Sequence, residues 1–358
     1  MKQRPSLFVY PVPPVLPTSP YLDLLYAGMP GWIHPCRVRV RRGLTELLRG
    51  GKPALLHLHF FDELCQRPGR AATAARTLAF LGLLRLLRAR GVPLVWTAHN
   101  ALPHETFHAR WAVRAYAAVA RQSAAIIAHS RAAAHELTMR YAPPQPPFVV
   151  PHGNYVGLAG PAIPPMEARH ALGLLPDLPV LLALGTLRPY KGLEALLDAF
   201  AALPPGTAQL LIAGGAKVPS YAAALARQVA RTPGAQLIPR HVPDGELPLY
   251  LGAADLVILP YRHLLTSGIL LWAMSYARPV VAPAFGPVAE LVRDGQEGFL
   301  YAPGESGALP AALERALAHP DLAGLGQAAL ERVRPFTWPR VAAQTALVYA
   351  EAAMNSLA

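Results

Sequence analysis

The chain has 358 residues, of which 53% are hydrophobic and 15% charged, which suits about two globular domains and excludes a disordered chain. Prolines and charges interrupt every apolar segment before the ~20 residues that a membrane-spanning helix needs, and no signal-peptide pattern opens the sequence. The net charge is +12, and residues 1–150 hold the whole excess, with 19 Arg and Lys against 6 Asp and Glu. Because there are only two cysteines, we expect a cytoplasmic protein. The basic first half would also fit a peripheral position on the inner face of the membrane.

Short apolar segments recur through the first half and predict strands. They are LFVYP from Leu7, ALLHLHF from Ala54, VPLVWTAH from Val92 and AAIIAHS from Ala124. Continuous apolar strands between helical segments are typical of a parallel sheet that helices cover on both faces.

The segment Arg70–Arg90 is predicted to be an amphipathic helix, with arginines on one side and Leu and Phe over much of the rest. A basic helix of this kind can lie in the interface of a membrane that contains anionic lipids. The other interpretation is a packing helix whose arginines are hydrated. We expect no nucleic-acid partner, because no zinc-finger, basic-heptad or RNA-recognition signature is present; nucleic-acid binding, the alternative, predicts a steep salt dependence.

A proline-rich segment separates the two halves. Residues 141–166 hold eight prolines and no charged residue, and Glu167 is the first charged position after them. This composition is typical of a linker. We therefore predict a first domain at 1–150, a second at 151–340, and a C-terminal helix at 341–358 that can pack back on the first domain.

The second half repeats the alternation of strands and helices. Its predicted strands are PVLLALG from Pro179, AQLLIAGG from Ala208, AQLIP from Ala235, DLVILPY from Asp255 and PVVAP from Pro279. Helices are predicted at Gly192–Ala202, Ser220–Arg231 and Leu309–His319. The predicted fold class is α/β, with two Rossmann-like doubly wound domains that face each other across a cleft and bind ligands at the carboxyl ends of their strands.

Loops of the second half carry residues that suit a diphosphate. The first strand runs into TLRPYKG, where Gly185 is followed by Arg188 and Lys191 near a helix start. Two cations and the amides of a helix N-terminus can neutralise phosphate, although an ordinary turn with surface charges would have the same spacing. Two later loops add further candidates: Thr266, Ser267, Gly268 and Glu290.

The order of these motifs resembles the GT-B nucleotide-sugar glycosyltransferases of the group 1, family 4-like type. TLRPYKGLEALLDAF, QLLIAGG, HVPDGELPLYLGAADLVILPY and AMSYARPVVAPAFGPVAELVRDGQEGFLY resemble their donor-binding domain. HLHFFDE, VWTAHNALPHE, IIAHS and VVPHGNY resemble their acceptor domain. The resemblance covers nearly the whole chain and is more specific in the second half.

The resemblance implies roles for residues of the donor half. Arg188 and Lys191, with the amides of Ser267 and Gly268, would hold the donor pyrophosphate, and the nucleotide base would lie between Gly214 and His241. Retaining members carry two glutamates where this chain has Leu264 and Trp272. Since neither side chain can accept a hydrogen bond as a carboxylate does, we expect an inverting enzyme.

Inversion needs a base that deprotonates the acceptor hydroxyl, and the loop after VPLVWTAH is rich in candidates. We predict Glu105 or His104 as the base, with His99 orienting it or holding the acceptor; Asp62 and Glu63 are rivals. Glu105 could instead cap the next helix. The residues predicted to contact the acceptor are Tyr21, His59 and His129.

The string from His104 to His108 also fits the H-E-x-x-H pattern of zinc peptidases. It directly follows Pro103, which predicts a first helical turn rather than a helix interior, and no third ligand is evident. We therefore expect no metal site.

The sequence thus predicts transfer of a sugar from a UDP- or GDP-linked donor to a hydroxyl of a lipid-linked or polysaccharide-precursor acceptor, with no obligatory cofactor. Two alternatives are a retaining transferase with an altered donor site and a non-catalytic protein that binds sugar nucleotides or a membrane surface.

Overall fold

The computed structural model describes residues 5–17, 19–103 and 106–355. The chain forms two compact units: unit 1 combines Met1–Gly153 with Phe336–Ala358, and unit 2 spans Asn154–Pro335. Each unit contains a six-stranded sheet whose strand pairs are all parallel. The predicted α/β fold class is confirmed.

The sheet of unit 1 has the strand order β2-β1-β3-β4-β5-β6. Its strands are β1 (Leu7–Val12), β2 (Ile33–Pro35), β3 (Ala54–Leu58), β4 (Leu94–Thr97), β5 (Ala125–Ala128) and β6 (Phe148–Val149). The four apolar segments of the first half form β1, β3, β4 and β5. The edge strands β2 and β6 have only three and two residues, too few for an apolar pattern to reveal them.

The sheet of unit 2 has the order β12-β11-β10-β7-β8-β9. Its strands are β7 (Val180–Leu184), β8 (Gln209–Ala213), β9 (Ala235–Ile238), β10 (Leu256–Ile258), β11 (Val280–Pro283) and β12 (Gly298–Tyr301). The chain order reverses direction between the neighbouring strands β7 and β10, so the carboxyl ends of these two strands flank the position where such folds bind ligands.

Helices connect the strands in both units. In chain order they are α1 (Tyr21–Ala27), α2 (Val40–Arg49), α3 (Asp62–Cys65), α4 (Arg70–Ala89), α5 (Ala109–Gln122), α6 (Arg131–Tyr141), α7 (Pro165–Ala171), α8 (Leu193–Ala201), α9 (Pro219–Val229), α10 (Leu247–Ala253), α11 (Gly268–Ser275), α12 (Gly286–Ala289), α13 (Ala308–Leu317), α14 (Leu322–Val333) and α15 (Trp338–Asn355). Among the helices that the structure describes, none is both long and apolar enough to cross a bilayer.

The core of unit 1 includes residues from both ends of the chain. One face of its sheet packs against α1 and α15, and buries Val9, Leu55, Val95 and Ile127 of the strands with Leu22, Leu25, Val341 and Tyr349 of the helices. The last helix therefore belongs to unit 1, and it begins three residues before the predicted 341.

The proline-rich segment is more ordered than a flexible linker. It contains the edge strand β6 and the start of α7, where the fixed φ of Pro165 suits the first helical position. The units divide between Gly153 and Asn154, within this segment.

Candidate functional site

The loop after β7 brings Gly185, Arg188 and Lys191 together at the carboxyl edge of the unit 2 sheet. Gly185 has φ +101°, and a Cβ added there would lie 2.7 Å from Lys191 Nζ. Because an L side chain rarely adopts this φ and would also collide with the ammonium group, only glycine fits at this position. The backbone thereby leaves room for the lysine directly beneath the strand end.

Lys191 is a buried cation. Its side chain is 7% exposed, Nζ donates a hydrogen bond to the Leu184 carbonyl at 3.3 Å, and Nζ lies 5.4 Å from the centre of the Tyr261 ring. Burial lowers the pKa of this lysine, and the neighbouring charge of Arg188 lowers it further. Among the described residues, no carboxylate forms an ion pair with Lys191.

The N-terminus of α11 lies next to this lysine loop. Ser267 is the N-cap, and its Oγ accepts a hydrogen bond from the Leu270 amide at 3.2 Å. Ile269, in the first turn, would be 3.3 Å from a Cβ on Gly185. Thr266 and Gly268 flank the cap and are half-buried. The predicted residues of the two loops are therefore neighbours in space.

The loops after β7 and β8 run side by side beyond the strand ends. The Gly185 amide donates to the Ala213 carbonyl at 2.9 Å, and the Leu187 amide donates to the Gly215 carbonyl at 2.8 Å. A Cβ on Gly214 would collide with the Gly185 carbonyl, and one on Gly215 would lie 3.2 Å from the His241 amide nitrogen. The structure thus brings Gly214 and the exposed His241 to the same edge as Gly185.

The positions of the two missing glutamates are apolar and buried. Leu264 is 9% exposed and Trp272 is 3% exposed. The Trp272 ring stacks on Tyr155, with ring centres 4.3 Å apart and planes at 10°. Glu290 lies at the end of α12, in the loop after β11, and is half-buried.

A cluster of histidines occupies the corresponding edge of unit 1. His59, His99, His129 and His152 each follow one of four neighbouring strands, β3, β4, β5 and β6. Tyr21 of α1 contacts all four, with ring-centre distances of 5.7, 4.8, 5.9 and 4.9 Å. Parallel strands end at one edge, so residues far apart in sequence meet there.

The inner side of the cluster is a continuous hydrogen-bonded network. The Tyr26 hydroxyl lies 2.9 Å from His57 Nδ1 and 2.9 Å from His59 Nε2, and His59 Nδ1 lies 3.2 Å from His99 Nε2. The Tyr349 hydroxyl lies 2.6 Å from His57 Nδ1, and His57 Nε2 lies 2.8 Å from Thr97 Oγ1.

Burial keeps these imidazoles neutral. Desolvation lowers the pKa of His57, His59 and His99 well below the usual range, and the neighbouring histidines add to the effect. It also lowers the pKa of His129 to about 4 and that of His152 to about 3. At neutral pH each ring therefore retains a lone pair that can accept a proton or a hydrogen bond.

His129 has one ring nitrogen that pairs with no described residue. Its Nδ1 hydrogen-bonds the Val150 carbonyl at 3.0 Å, whereas Nε2 is enclosed and has no hydrogen-bond partner in the described part of the chain. Tyr21 and His59, the other predicted acceptor residues, are 4% and 2% exposed. Their contact with an acceptor stays a prediction.

The structure describes only some of the remaining candidate residues of the first half. His104 and Glu105 lie outside the described residues. His108 is the N-cap of α5, its Nε2 lies 3.0 Å from the Pro68 carbonyl, and residues 106–108 are not helical, so the expected first helical turn begins only at Ala109. Burial raises the pKa of Asp62, while the Tyr116 hydroxyl opposes this shift.

The described residues also contain no group of three or more His, Cys, Asp or Glu placed to hold a metal ion. The histidines instead pair with one another and with tyrosines. Sequence reasoning did not identify Tyr26, Tyr349 or Trp338 as members of this cluster. Tyr349 is 292 positions from His57, and no local signal could have connected them.

Comparisons with known proteins show the family to which the chain belongs. The family described as "Glycosyl transferases group 1" matches residues 178–319, and that described as "Glycosyltransferase Family 4" matches residues 15–154. A GDP-mannose:glycolipid 4-beta-D-mannosyltransferase of Xanthomonas campestris is 31% identical over 74% of this chain and 70% of its own length. A D-inositol 3-phosphate glycosyltransferase of Actinosynnema mirum is 31% identical over 73% of this chain and 67% of its own.

Solved structures show the same fold. Anabaena HepE, crystallised with UDP and glucose, superposes with a TM-score of 0.69 at 19% identity, over 96% of this chain and 99% of HepE. Sucrose-phosphate synthase of Thermosynechococcus elongatus gives a TM-score of 0.71 at 18% identity, over 96% of this chain and 98% of that structure.

Fold and sites together define a GT-B enzyme that uses nucleotide sugars. The chain belongs to the group 1, family 4 type of glycosyltransferases, as its motifs predicted.

Proposed function

We propose that this glycosyltransferase moves a sugar from a UDP- or GDP-linked donor to a hydroxyl of a lipid-linked or polysaccharide-precursor glycan, with inversion at the anomeric carbon. The observation that carries the donor half of the proposal is Lys191, a buried ammonium group with no acidic partner in the described chain.

A buried charge is costly unless an opposite charge compensates it. Within the described ranges the hydrogen-bond acceptor of Lys191 is a carbonyl, that of Leu184, and Arg188 adds a second positive charge nearby. The N-terminus of α11 contributes amides and a positive dipole end at the same place. These groups together suit the two phosphates of a departing nucleoside diphosphate and can neutralise them without a divalent metal.

The test is donor binding to the Lys191→Ala variant. UDP or GDP should raise the melting temperature of the wild type, since a ligand that binds only the folded state stabilises it. Loss of the charged hydrogen bonds, about 1.5–3 kcal/mol, should weaken the nucleotide affinity by roughly 10- to 150-fold. The matched control is Arg227→Ala, which removes an exposed charge of α9 in the same unit.

Selective stabilisation by UDP or by GDP would also identify the nucleotide base of the donor. An unchanged nucleotide affinity in Lys191→Ala, with the control behaving alike, would remove the proposed phosphate site. Transfer that persists in EDTA is expected, because the cations of the chain itself hold the diphosphate.

The acceptor proposal is supported by a relative and by charge. The Xanthomonas mannosyltransferase is named for a glycolipid acceptor. In this chain, α4 and α5 carry arginines but no acidic residue, which suits the anionic surface of a membrane that holds such an acceptor. We assign the acceptor hydroxyl to His129, whose Nε2 has no hydrogen-bond partner among the described residues, and to Tyr21 and His59, whose rings contact one another beside it.

Inversion is supported by the apolar pair Leu264 and Trp272, since the two carboxylates associated with retention are absent. The name of the Xanthomonas relative specifies a β-linked product, and a β-linked product formed from an α-linked nucleotide sugar requires inversion. NMR of the product distinguishes the two outcomes: an anomeric configuration opposite to the donor's is expected, and an unchanged one would establish the retaining alternative.

The base belongs to the loop after β4, where Glu105, His104 and His99 are the candidates. Within the described part of the chain, His99 is the neutral imidazole of that loop. Each of these three residues is to be replaced in turn. The base is the residue whose replacement lowers turnover by about 10²–10⁴-fold while nucleotide binding persists.

A further inference from the structure

We propose that Tyr26 is a positioning residue: its hydroxyl proton, shared between His57 and His59, decides which ring nitrogen of His99 carries a proton and so whether His99 can accept one from the acceptor hydroxyl. The proposal rests on the proposed function for the use of His99 as a base, whereas the hydrogen-bond logic rests on the structure alone.

The Tyr26 hydroxyl has two histidine neighbours. Its hydroxyl lies 2.9 Å from His57 Nδ1 and 2.9 Å from His59 Nε2, and it has a single proton. It can therefore donate to only one of the two rings at a time. If His57 receives the proton, His59 Nε2 must donate to the phenol oxygen or stay unpaired in a buried site. If His59 receives it, His57 Nδ1 can pair with the Tyr349 hydroxyl, 2.6 Å away.

If Tyr26 donates to His59 Nε2, the proton of neutral His59 lies on Nδ1. That N–H then donates to His99 Nε2 at 3.2 Å. Neutral His99 keeps its own proton on Nδ1. In this arrangement the outward nitrogen of His99 is a donor, and His99 cannot act as a base.

If Tyr26 donates to His57 Nδ1 instead, His59 carries its proton on Nε2 and donates to the phenol oxygen. His59 Nδ1 then accepts from His99 Nε2–H, which leaves the lone pair of His99 on Nδ1. His57 Nε2–H can donate to Thr97 Oγ1 at 2.8 Å, so each ring nitrogen of His57 and His59 and the Tyr26 hydroxyl has a hydrogen-bond partner. This arrangement provides the base.

The outer nitrogen of His99 is suited to this role. Nδ1 makes no hydrogen bond to any described residue, and it is absent from the enclosed polar atoms that lack a partner. The groups that face the His99 ring are His59 after β3, His129 after β5, His152 after β6, Tyr21 of α1 and the stacked ring of Phe60. None of these is an acid that would hold the ring protonated.

In the transfer step, the acceptor O–H bond breaks and its proton moves to His99 Nδ1. The acceptor oxygen forms a bond to the anomeric carbon, and the bond from that carbon to the diphosphate breaks. The diphosphate leaves with the electron pair. The resulting imidazolium still donates from Nε2 to the lone pair of His59.

Tyr349 competes with Tyr26 and supplies a matched control. Its hydroxyl lies 2.6 Å from the same His57 Nδ1. When Tyr349 occupies that lone pair, Tyr26 is left to donate to His59, which favours the inactive arrangement. Removing the Tyr349 hydroxyl should therefore favour the active one. Both tyrosines are buried in the same network, so Tyr26→Phe and Tyr349→Phe each delete one buried hydroxyl.

The experiment compares these two variants. In Tyr26→Phe, His59 Nε2 loses its hydrogen-bond partner. A buried N–H without an acceptor is rare in proteins, so the His59 proton should move to Nδ1. His59 Nδ1–H then donates to His99 Nε2, and His99 should hold its own proton on Nδ1. We expect kcat for cleavage of UDP-glucose or GDP-mannose to fall by about tenfold or more, with little change in the donor KM. Tyr349→Phe should not lower kcat, because loss of its hydroxyl favours the arrangement in which His99 is the base.

A second readout does not depend on activity. ¹⁵N NMR of histidine-labelled protein reports which ring nitrogen is protonated, and His99→Gln assigns the His99 signal. The Nδ1–H form should dominate in Tyr26→Phe and the Nε2–H form in Tyr349→Phe. Equal kcat values in the two variants, or the same His99 tautomer in both, would overturn the inference. A wild type that cleaves no nucleotide sugar would count against the proposed function instead, and the NMR comparison would still decide the role of Tyr26.

Discussion

Trp272 is an apolar residue at a position where the resemblance leads us to expect a glutamate. The resemblance places a glutamate at this position, but the structure has an indole that is 3% exposed and stacked on Tyr155. The neighbouring Tyr276 ring lies 5.9 Å away, and Leu264, the other substituted position, is also buried. Leu264 and Trp272 thus have the same effect: each puts a buried apolar side chain where the resemblance leads us to expect a carboxylate.

Restoring the glutamate should therefore damage the protein. Trp272→Glu removes the stacked ring and buries a carboxylate, so the free energy of unfolding of unit 2 should fall by about 3–5 kcal/mol. Trp272→Phe, which keeps an aromatic ring against Tyr155, should lose much less. Urea unfolding of both variants measures the difference. A Trp272→Glu protein of wild-type stability that forms a retained product would show that the indole is not part of the core.

At the scale of elements, α4 and α5 form a basic surface on unit 1. Their exposed arginines are Arg70, Arg76, Arg85, Arg88, Arg110, Arg114 and Arg121. Leu78, Leu86 and Val113 on the same helices are 58%, 43% and 47% exposed. A cavity of about 380 Å³ lies between the C-terminal ends of the two helices, with Arg88 and Arg121 in its wall. Because these leucines lie beside arginines that form no ion pair with any described residue, we expect the surface to bind anionic lipid.

This surface should bind vesicles that contain phosphatidylglycerol more tightly than vesicles of phosphatidylcholine alone. Each arginine near an anionic membrane contributes about 1 kcal/mol, so Arg85→Gln with Arg88→Gln should weaken vesicle binding by roughly 30-fold. The control is Arg227→Gln with Arg231→Gln, which removes the same charge from the surface of unit 2. Flotation assays measure the partitioning, which added salt should reduce. Equal binding of both double variants would mean that the arginines of α4 are merely hydrated.

At the scale of the whole molecule, the two units differ in where their histidines lie. Unit 1 contains the buried or half-buried cluster, whereas the described histidines of unit 2, His170, His241, His263 and His319, are exposed or half-buried. A histidine whose pKa is lowered by folding binds more protons when unfolded. Its contribution to stability is therefore present above the unfolded pKa of about 6.5 and is lost as the pH falls toward the folded value.

Unit 1 should accordingly unfold first in acid. The pKa of His129, lowered to about 4, alone corresponds to a loss of roughly 3 kcal/mol between pH 6.5 and pH 4. Hydrogen exchange followed by mass spectrometry measures the stability of each unit separately, and His129→Gln should flatten the dependence in unit 1. If unit 2 lost stability between pH 6.5 and pH 4 as steeply as unit 1, the buried histidines of unit 1 would not be the cause of the acid sensitivity.

The local features of the chain were predictable from its sequence. Apolar segments such as those of β3 and β7 are continuous because both faces of a parallel sheet are covered, and α4 is rich in strong helix formers. Gly185, Arg188 and Lys191 lie within seven positions, so one loop presents all three. The edge strands β2 and β6 escaped prediction because two or three residues carry no periodicity.

Only the tertiary structure decided which distant side chains share the unit 1 site. The sequence by itself determined the fold class, the placement of Gly185, Arg188 and Lys191 in one loop, and the presence of histidines after successive strands, since each depends on a few adjacent residues. It did not determine that Tyr26 and Tyr349 meet at His57, or that Lys191 is buried with no acidic partner among the residues that the structure describes. Those facts depend on strand order and on the return of α15 to unit 1, which are set by packing across the whole core rather than by neighbouring residues.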